Sequence, residues 1–251
     1  MIVIFNTLIY QPFYNALVYV VSILPGNDLG LSIIVLTIAV KFLIFPFTHK
    51  SMKANKKMKQ IQGEIDKIKE RHKDQKEQAT KIMDLYKEHG INPFSGCLFS
   101  FIQIPLIIGL YWVFLKGFED GIDTNVLYSF VHAPSHINFL FLNYFNLNER
   151  SIFLVLCAGI SQFFQLRLSF PPSAKNTDVK KDGPDSFGDV FKKSFQTQTQ
   201  YILPIVIVLV SLNFPAGVPL YWVTTNMFSI AHELFVKHKA LLITRPKSQT
   251  P

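Results

Sequence analysis

From Gly30 to Thr48 the chain reads GLSIIVLTIAVKFLIFPFT, apolar except for Ser32, Thr37, Lys41 and Thr48. As a helix this run is about 28 Å long, close to the ~30 Å hydrocarbon core of a bilayer. Lys41 sits just past its middle, where a lysine costs roughly 2.5–3.5 kcal/mol on insertion scales. Thr37, Lys41 and Thr48 share one helical face, so Lys41 is expected along a polar stripe and away from lipid tails.

The rest of the chain repeats this pattern. Of 251 residues, 49% are hydrophobic, and they come in long blocks with charge confined between them. Because irregular backbone cannot face lipid, such a chain is expected to be all-α and polytopic. Cys97 and Cys157 both lie in apolar runs, which does not suggest a disulfide scaffold. No transit peptide or three-part cleavable signal stands at the start. The chain reads as complete and bacterial.

In order, residues 1–27 form an N-terminal segment without charge until Asp28. After Pro12, a favourable first helical residue, Gln11, Asn15 and Ser22 fall on one side of a helical wheel. A one-sided polar face suits an amphipathic helix lying in the outer interface, although its length also allows an ordinary span. Pro25-Gly26-Asn27-Asp28 is a turn signal. The first span is 28–48.

Residues 49–93 carry twelve Lys/Arg and seven Asp/Glu, a net of +5. Ala54, Met58, Ile61, Ile65 and Ile68 make a heptad seam. Arg71 to Gln75 is a polar break, and Ala79, Ile82 and Tyr86 continue the pattern. The spacing predicts a helical hairpin with a thin core, mobile and weakened at Gly63. Its lysines have two readings: a solvated face near anionic lipid, or a docking surface for an acidic partner such as ribosomal RNA.

Further spans are expected at 94–115, 151–168, 200–214 and 217–236. The external loop 116–150 has two basic and four acidic residues, a net of −2. Its apolar pieces, such as Phe139 to Phe145, are placed for contact with the membrane surface. The polar loop 169–199 has five Lys and four Asp, a net of +1, and the tail 237–251 has four basic residues and no acid. The fourth span is short for a ~30 Å core. The positive-inside rule puts the basic blocks in the cytoplasm and the acidic loop outside, which five spans satisfy if residues before Gly30 are outside.

Chemistry for group transfer is missing from the sequence. There is no GxxxxGK[ST], HExxH or GxSxG pattern. The histidines are scattered, and Pro134 lies between His132 and His136. What stands out instead is a set of polar groups on apolar spans: Thr37, Lys41, Gln103, Gln162, Gln165, Tyr221, Thr225 and Ser229. If their faces converge they line a polar groove inside the bilayer; otherwise they hydrogen-bond between packed helices at ~0.6 kcal/mol each. No acidic residue lies in a span near the depth of Lys41, and a dry charge there is costly, so water is expected beside it.

Three stretches resemble the YidC family of membrane protein insertases, which has mitochondrial and thylakoid relatives. They are DLGLSIIVLTIAVKFLIFPFTHKSMKANKKM, LYKEHGINPFSGCLFSFIQIPLIIGLYWVF and NFPAGVPLYWVTTN. Their order, the basic hairpin between the first two, and the Phe-Pro-x-Gly reversal before the last helix carry the resemblance along essentially the whole chain. It implies a five-helix core around a hydrophilic groove open to cytoplasm and lipid. Lys41 stands where the family usually has arginine, keeping the charge but losing the bidentate fork. The large periplasmic domain of some members has no counterpart in the sequence.

The resemblance implies an insertase and chaperone of the bacterial plasma membrane, not an enzyme, with no cofactor or metal. Its substrates are nascent membrane proteins, and its partners are the ribosome, the Sec translocon and the bilayer, with no role for DNA. The rival class is a small-solute transporter or anion channel, for which inverted repeats would speak; none is evident. A membrane-embedded enzyme is disfavoured by the missing catalytic constellation.

Overall fold

The computed structural model describes residues 5–72, 74–92, 105, 107–113, 121–169 and 200–244, and these are mostly helical. The chain forms two compact units, Met1–Ala39 with Leu110–Pro251, and Val40–Gly109.

In the first unit a π-helical turn, Asn6–Tyr10, leads into α1, Gln11–Ile23. Tyr14, Asn15, Leu17, Val18 and Val21 are buried. Two of the polar residues expected on one side of α1 bond to the segment 123–128. Gln11 Nε2 and Asn15 Nδ2 both donate to the Val126 carbonyl, at 3.1 and 2.9 Å. Asn15 Oδ1 accepts from the Tyr128 amide at 2.6 Å, and the Tyr14 hydroxyl accepts from the Asp123 amide at 2.8 Å. Backbone groups in a covered loop need partners, and α1 supplies them to 123–128.

After a 3-10 turn at Pro25–Asn27, where Gly26 takes φ +71°, α2 runs from Leu29 to Gln60. Asp28 Oδ1 accepts from the Leu31 amide at 2.8 Å and opens this helix. The expected end at Thr48 is passed because Lys, Met, Ala and Gln continue a helix readily. Pro46 is accommodated inside it.

The segment between α2 and Ile152 contains a small antiparallel hairpin, β1 Leu140–Phe141 and β2 Phe145–Asn146, with Phe141 opposite Phe145. It is followed by α5, Ile152–Ser169, then α6, Gln200–Ser211, and α7, Gly217–Thr244. α5 and α7 pack against each other. The reversal before α7 is held where the Ala216 amide donates to Glu149 O at 2.7 Å and the Gly217 amide to Leu147 O at 3.3 Å. α7 continues past the expected end at Val236 into the basic tail.

Among the described residues two helices are long and apolar enough to cross a membrane, Leu29–Met52 of α2 and α5, with α6 shorter. Most of the expected second span, 94–115, and the segment from 170 to 199 lie outside the described residues.

In the second unit α3, Gln62–Arg71, and α4, Gln75–Glu88, pack on each other. The expected seam from Ala54 to Ile68 is divided, because the helix breaks at Ile61 (φ −89°, ψ 9°). Ile61, Ile65 and Ile91 form the core, with Met58, Ile82, Leu85 and Tyr86 against it. Ala79 is exposed instead, and Leu85 takes the inward place expected of it. Burial raises the Tyr86 phenol above its ordinary pKa. Asp74 caps α4, and His89 lies 3.5 Å from Glu64 across the pair.

Candidate functional site: polar groups on the apolar helices

Helices that carry an apolar outer stripe also bury polar side chains. On α5, Ile152, Phe153, Leu156, Ile160 and Phe164 are exposed at helical spacing. Its opposite side buries Ala158, Gly159, Ser161 and Gln162. On α6, Ile205 and Leu209 are exposed while Ile207 and Ser211 are buried. An apolar groove of about 440 Å³ is lined by Ile160 and Phe164 of α5 and by Val223, Met227 and Ile230 of α7.

Thr37 and Lys41 are one turn apart on α2, and both are buried, Lys41 to 3% exposure. The Thr37 hydroxyl donates to the Ile33 carbonyl at 2.6 Å, within its own helix. Lys41 belongs to the second unit and Thr37 to the first. Gln103 lies outside the described residues.

Gln162 and Gln165 bond along their own helix. Gln162 Nε2 donates to Gln165 Oε1 at 3.2 Å, and Gln165 Nε2 to Ser169 Oγ at 3.2 Å, a chain along α5. On α7, Tyr221 and Thr225 are buried and Ser229 is half-buried. The Ser229 hydroxyl donates to the Thr225 carbonyl at 2.8 Å. The Thr225 hydroxyl is buried and has no hydrogen-bond partner among the described residues; only Ser211 Oγ shares that state there. Most buried hydroxyls are bonded, and Ser and Thr in a helix ordinarily reach back one turn, so Thr225 is an exception. The candidate residues of α5 and α7 thus sit on two helices that pack together.

Cross-helix ties come from residues that periodicity did not single out. Asn226 Nδ2 donates to Ser161 Oγ at 3.1 Å and approaches the Ala158 carbonyl at 3.5 Å, all within the α5–α7 contact. Lys237 Nζ donates to the Leu168 carbonyl at 2.8 Å, satisfying one of the open carbonyls in the last turn of α5, where a cation is also favoured by the helix dipole. Glu233, 4.0 Å from Lys237, is buried. Its spacing of one turn from Lys237 was the available signal. Among the described residues no group of His, Cys, Asp or Glu could hold a metal ion.

The family described as 60Kd inner membrane protein matches residues 20–242. Membrane protein insertase MisCA of Bacillus subtilis is 31% identical over 91% of this chain and 77% of its own length. Membrane protein insertase YidC of Nitratidesulfovibrio vulgaris is 32% identical over 85% of this chain, and the same name recurs in Francisella tularensis subsp. novicida at 31% over 85%. The chain spans only 36% and 33% of those two proteins. A solved structure described as active YidC insertase with its first transmembrane domain resolved is similar in fold, with TM-score 0.57 and 21% identity over 89% of this chain and 46% of that one. None of these relatives is named a transporter or channel, and that alternative finds no support. The chain therefore belongs to the 60Kd inner membrane protein family, that of the YidC membrane protein insertases of the bacterial inner membrane.

Proposed function

We propose that this member of the insertase family passes apolar segments of nascent membrane proteins into lipid by way of a wet intramembrane groove. The observations that carry this reading are membership of the insertase family and the buried polar side chains of the packed pair α5 and α7, Gln162 and Thr225 among them. Water or a substrate backbone reaching such groups lowers the cost of keeping them inside a bilayer. Gln165, Tyr221 and Ser229 supply further polar groups on the same two helices, and Thr37 supplies one from α2. Lys41 attracts acidic parts of the substrate as a point charge.

A segment entering from the cytoplasm leaves along the apolar groove beside Ile160, Phe164, Val223 and Met227. Burial of its own apolar area, at ~25 cal/mol per Å², drives the exit. The short α6 favours a locally thin bilayer. The topology has five spans with 1–27 outside, and the α3–α4 hairpin in the cytoplasm receives substrate from the ribosome or the Sec translocon.

The test uses single cysteines at Thr37, Gln162 and Thr225 in a chain lacking Cys97 and Cys157. They should react with a charged, impermeant thiol reagent from the cytoplasmic side and not from outside. A cysteine at the exposed α6 position Leu209 is the unreactive control. Protection from both sides means a dry bundle; reaction from both sides means a channel. Either result overturns the groove.

A further inference from the structure

The β1–β2 hairpin combines strained backbone with exposed apolar side chains. Its two strands are joined through Leu142, Asn143 and Tyr144, and both Leu142 and Asn143 take φ +55°. Asparagine tolerates this left-handed region, but a leucine there is unusual and sterically disfavoured. Nothing in the fold repays the leucine, since its side chain is 71% exposed. Tyr144 beside it is 81% exposed, and Leu140 47%.

The hairpin is also fixed in place. Asn138 exchanges backbone bonds with the start of α2: its amide donates to Asn27 O at 2.9 Å and its carbonyl accepts from the Leu29 amide at 3.0 Å. The Phe141 ring lies so close to Gly30 that a Cβ there would sit 2.3 Å from Cδ2. On the other side, Leu147 and Glu149 hold the first residues of α7 through their carbonyls, and α5 begins at Ile152. The hairpin is therefore clamped where α2, α5 and α7 all start. Its Phe145 ring stacks on Phe153 at 5.4 Å between centroids. Phe153 belongs to the exposed apolar stripe of α5, and Tyr144 meets the Phe145 ring edge-on at 5.0 Å, so the tip adjoins that stripe.

We propose that this hairpin is an interfacial anchor, seating Leu140, Leu142 and Tyr144 in the headgroup–acyl boundary of the outer leaflet. Aromatic residues at the ends of spans favour that layer, with the ring in the apolar part and the hydroxyl toward water. A rigid apolar tip fixed to three helix starts would set the depth at which those helices sit. The inference rests on the reading of α5 as a span.

The experiment uses the full chain lacking Cys97 and Cys157, spin-labelled at single cysteines replacing Leu142, Tyr144, Asn148 or Ile160, in liposomes. Molecular oxygen concentrates in lipid, and an anionic or neutral nickel chelate stays in water. Labels at 142 and 144 should collide with oxygen, and meet the chelate several-fold less often than the label at 148. The label at 160 should lie deeper still. If 142 and 144 behave like 148 while 160 is in lipid, the anchor is overturned and the span stands. Shielding of 142 and 144 from both reagents places them in a protein contact, which also overturns it. If 160 meets the chelate freely, the span and the anchor fail together.

Discussion

Gly159 offers a sharp test of how α5 and α6 are joined. A Cβ built at this position would lie 2.4 Å from Val208 Cγ2, with the Pro204 carbonyl at 3.6 Å and Val208 Cβ at 3.9 Å. The backbone thus has room for a methyl group, and one valine methyl does not. Valine in a helix has one strongly preferred χ1, so it cannot swing aside freely. Gly159→Ala should destabilise by about 1–3 kcal/mol, the range for overpacking. The usual gain of ~1 kcal/mol from replacing a helical glycine offsets this only in part, because helices persist in a detergent-unfolded state and the propensity difference largely cancels.

Val208→Ala removes the offending methyl, and in the double variant the methyl introduced at position 159 occupies part of the vacated space. The double variant should therefore recover stability lost by Gly159→Ala, giving a favourable coupling of about 1–2 kcal/mol, within the range for residues in contact. The measurement is titration of the four proteins in mixed micelles with a denaturing detergent, followed by the fluorescence of Trp112 and Trp222. Gly159→Ala equal to the parent, with an additive double variant, would show that α6 is not seated on α5 at this glycine. Gly159→Leu, which no valine rotation accommodates, should also lower insertion by displacing α6.

Two further outcomes bear on the mechanism and the topology. Lys41→Arg should preserve insertion, while Lys41→Glu should reduce insertion of clients with acidic tails about tenfold, since a charge pair near a polar surface is worth one to a few kcal/mol; equal activity of the two variants on such clients removes the electrostatic role. Cysteines replacing Ser129 and Gln75, in the chain lacking Cys97 and Cys157, should label from opposite sides of intact vesicles. Labelling from one side would break the assignment of the loop and the hairpin to different compartments.

Where α2 opens and where the chain reverses were legible because their causes are local. The apolar run from Gly30, the turn at Pro25–Asn27 and the reversal at Pro215 each depend on neighbours in sequence. The end of α2 was not legible, because a change from apolar to charged residues marks the end of a membrane environment and not of a helix; Lys and Met continue the helix to Gln60. The split at Ile61 was hidden for a related reason. Heptad spacing records which residues are apolar, and Ile61 stays in the core while its backbone leaves helical angles.

The polar residues on α2, α5 and α7 divide by something the sequence does not carry, namely the partner each one finds. Thr37 and Ser229 bond carbonyls of their own helices, and Gln162, Gln165 and Ser169 bond one another along α5. Such bonds are made whether or not a second helix is present, so they add little to helix association and leave the side chains compatible with a wet surface. Asn226 and Lys237 instead reach across to Ser161 and Leu168 of α5. Removing either takes a donor away from its counterpart on α5, so these two belong to the frame. Thr225 and Asn226 are adjacent, yet Asn226 is committed to the frame while the Thr225 hydroxyl bonds to none of the described residues. Because adjacent residues on a helix point about 100° apart, the bond that Asn226 makes to α5 does not fix the surroundings of its neighbour.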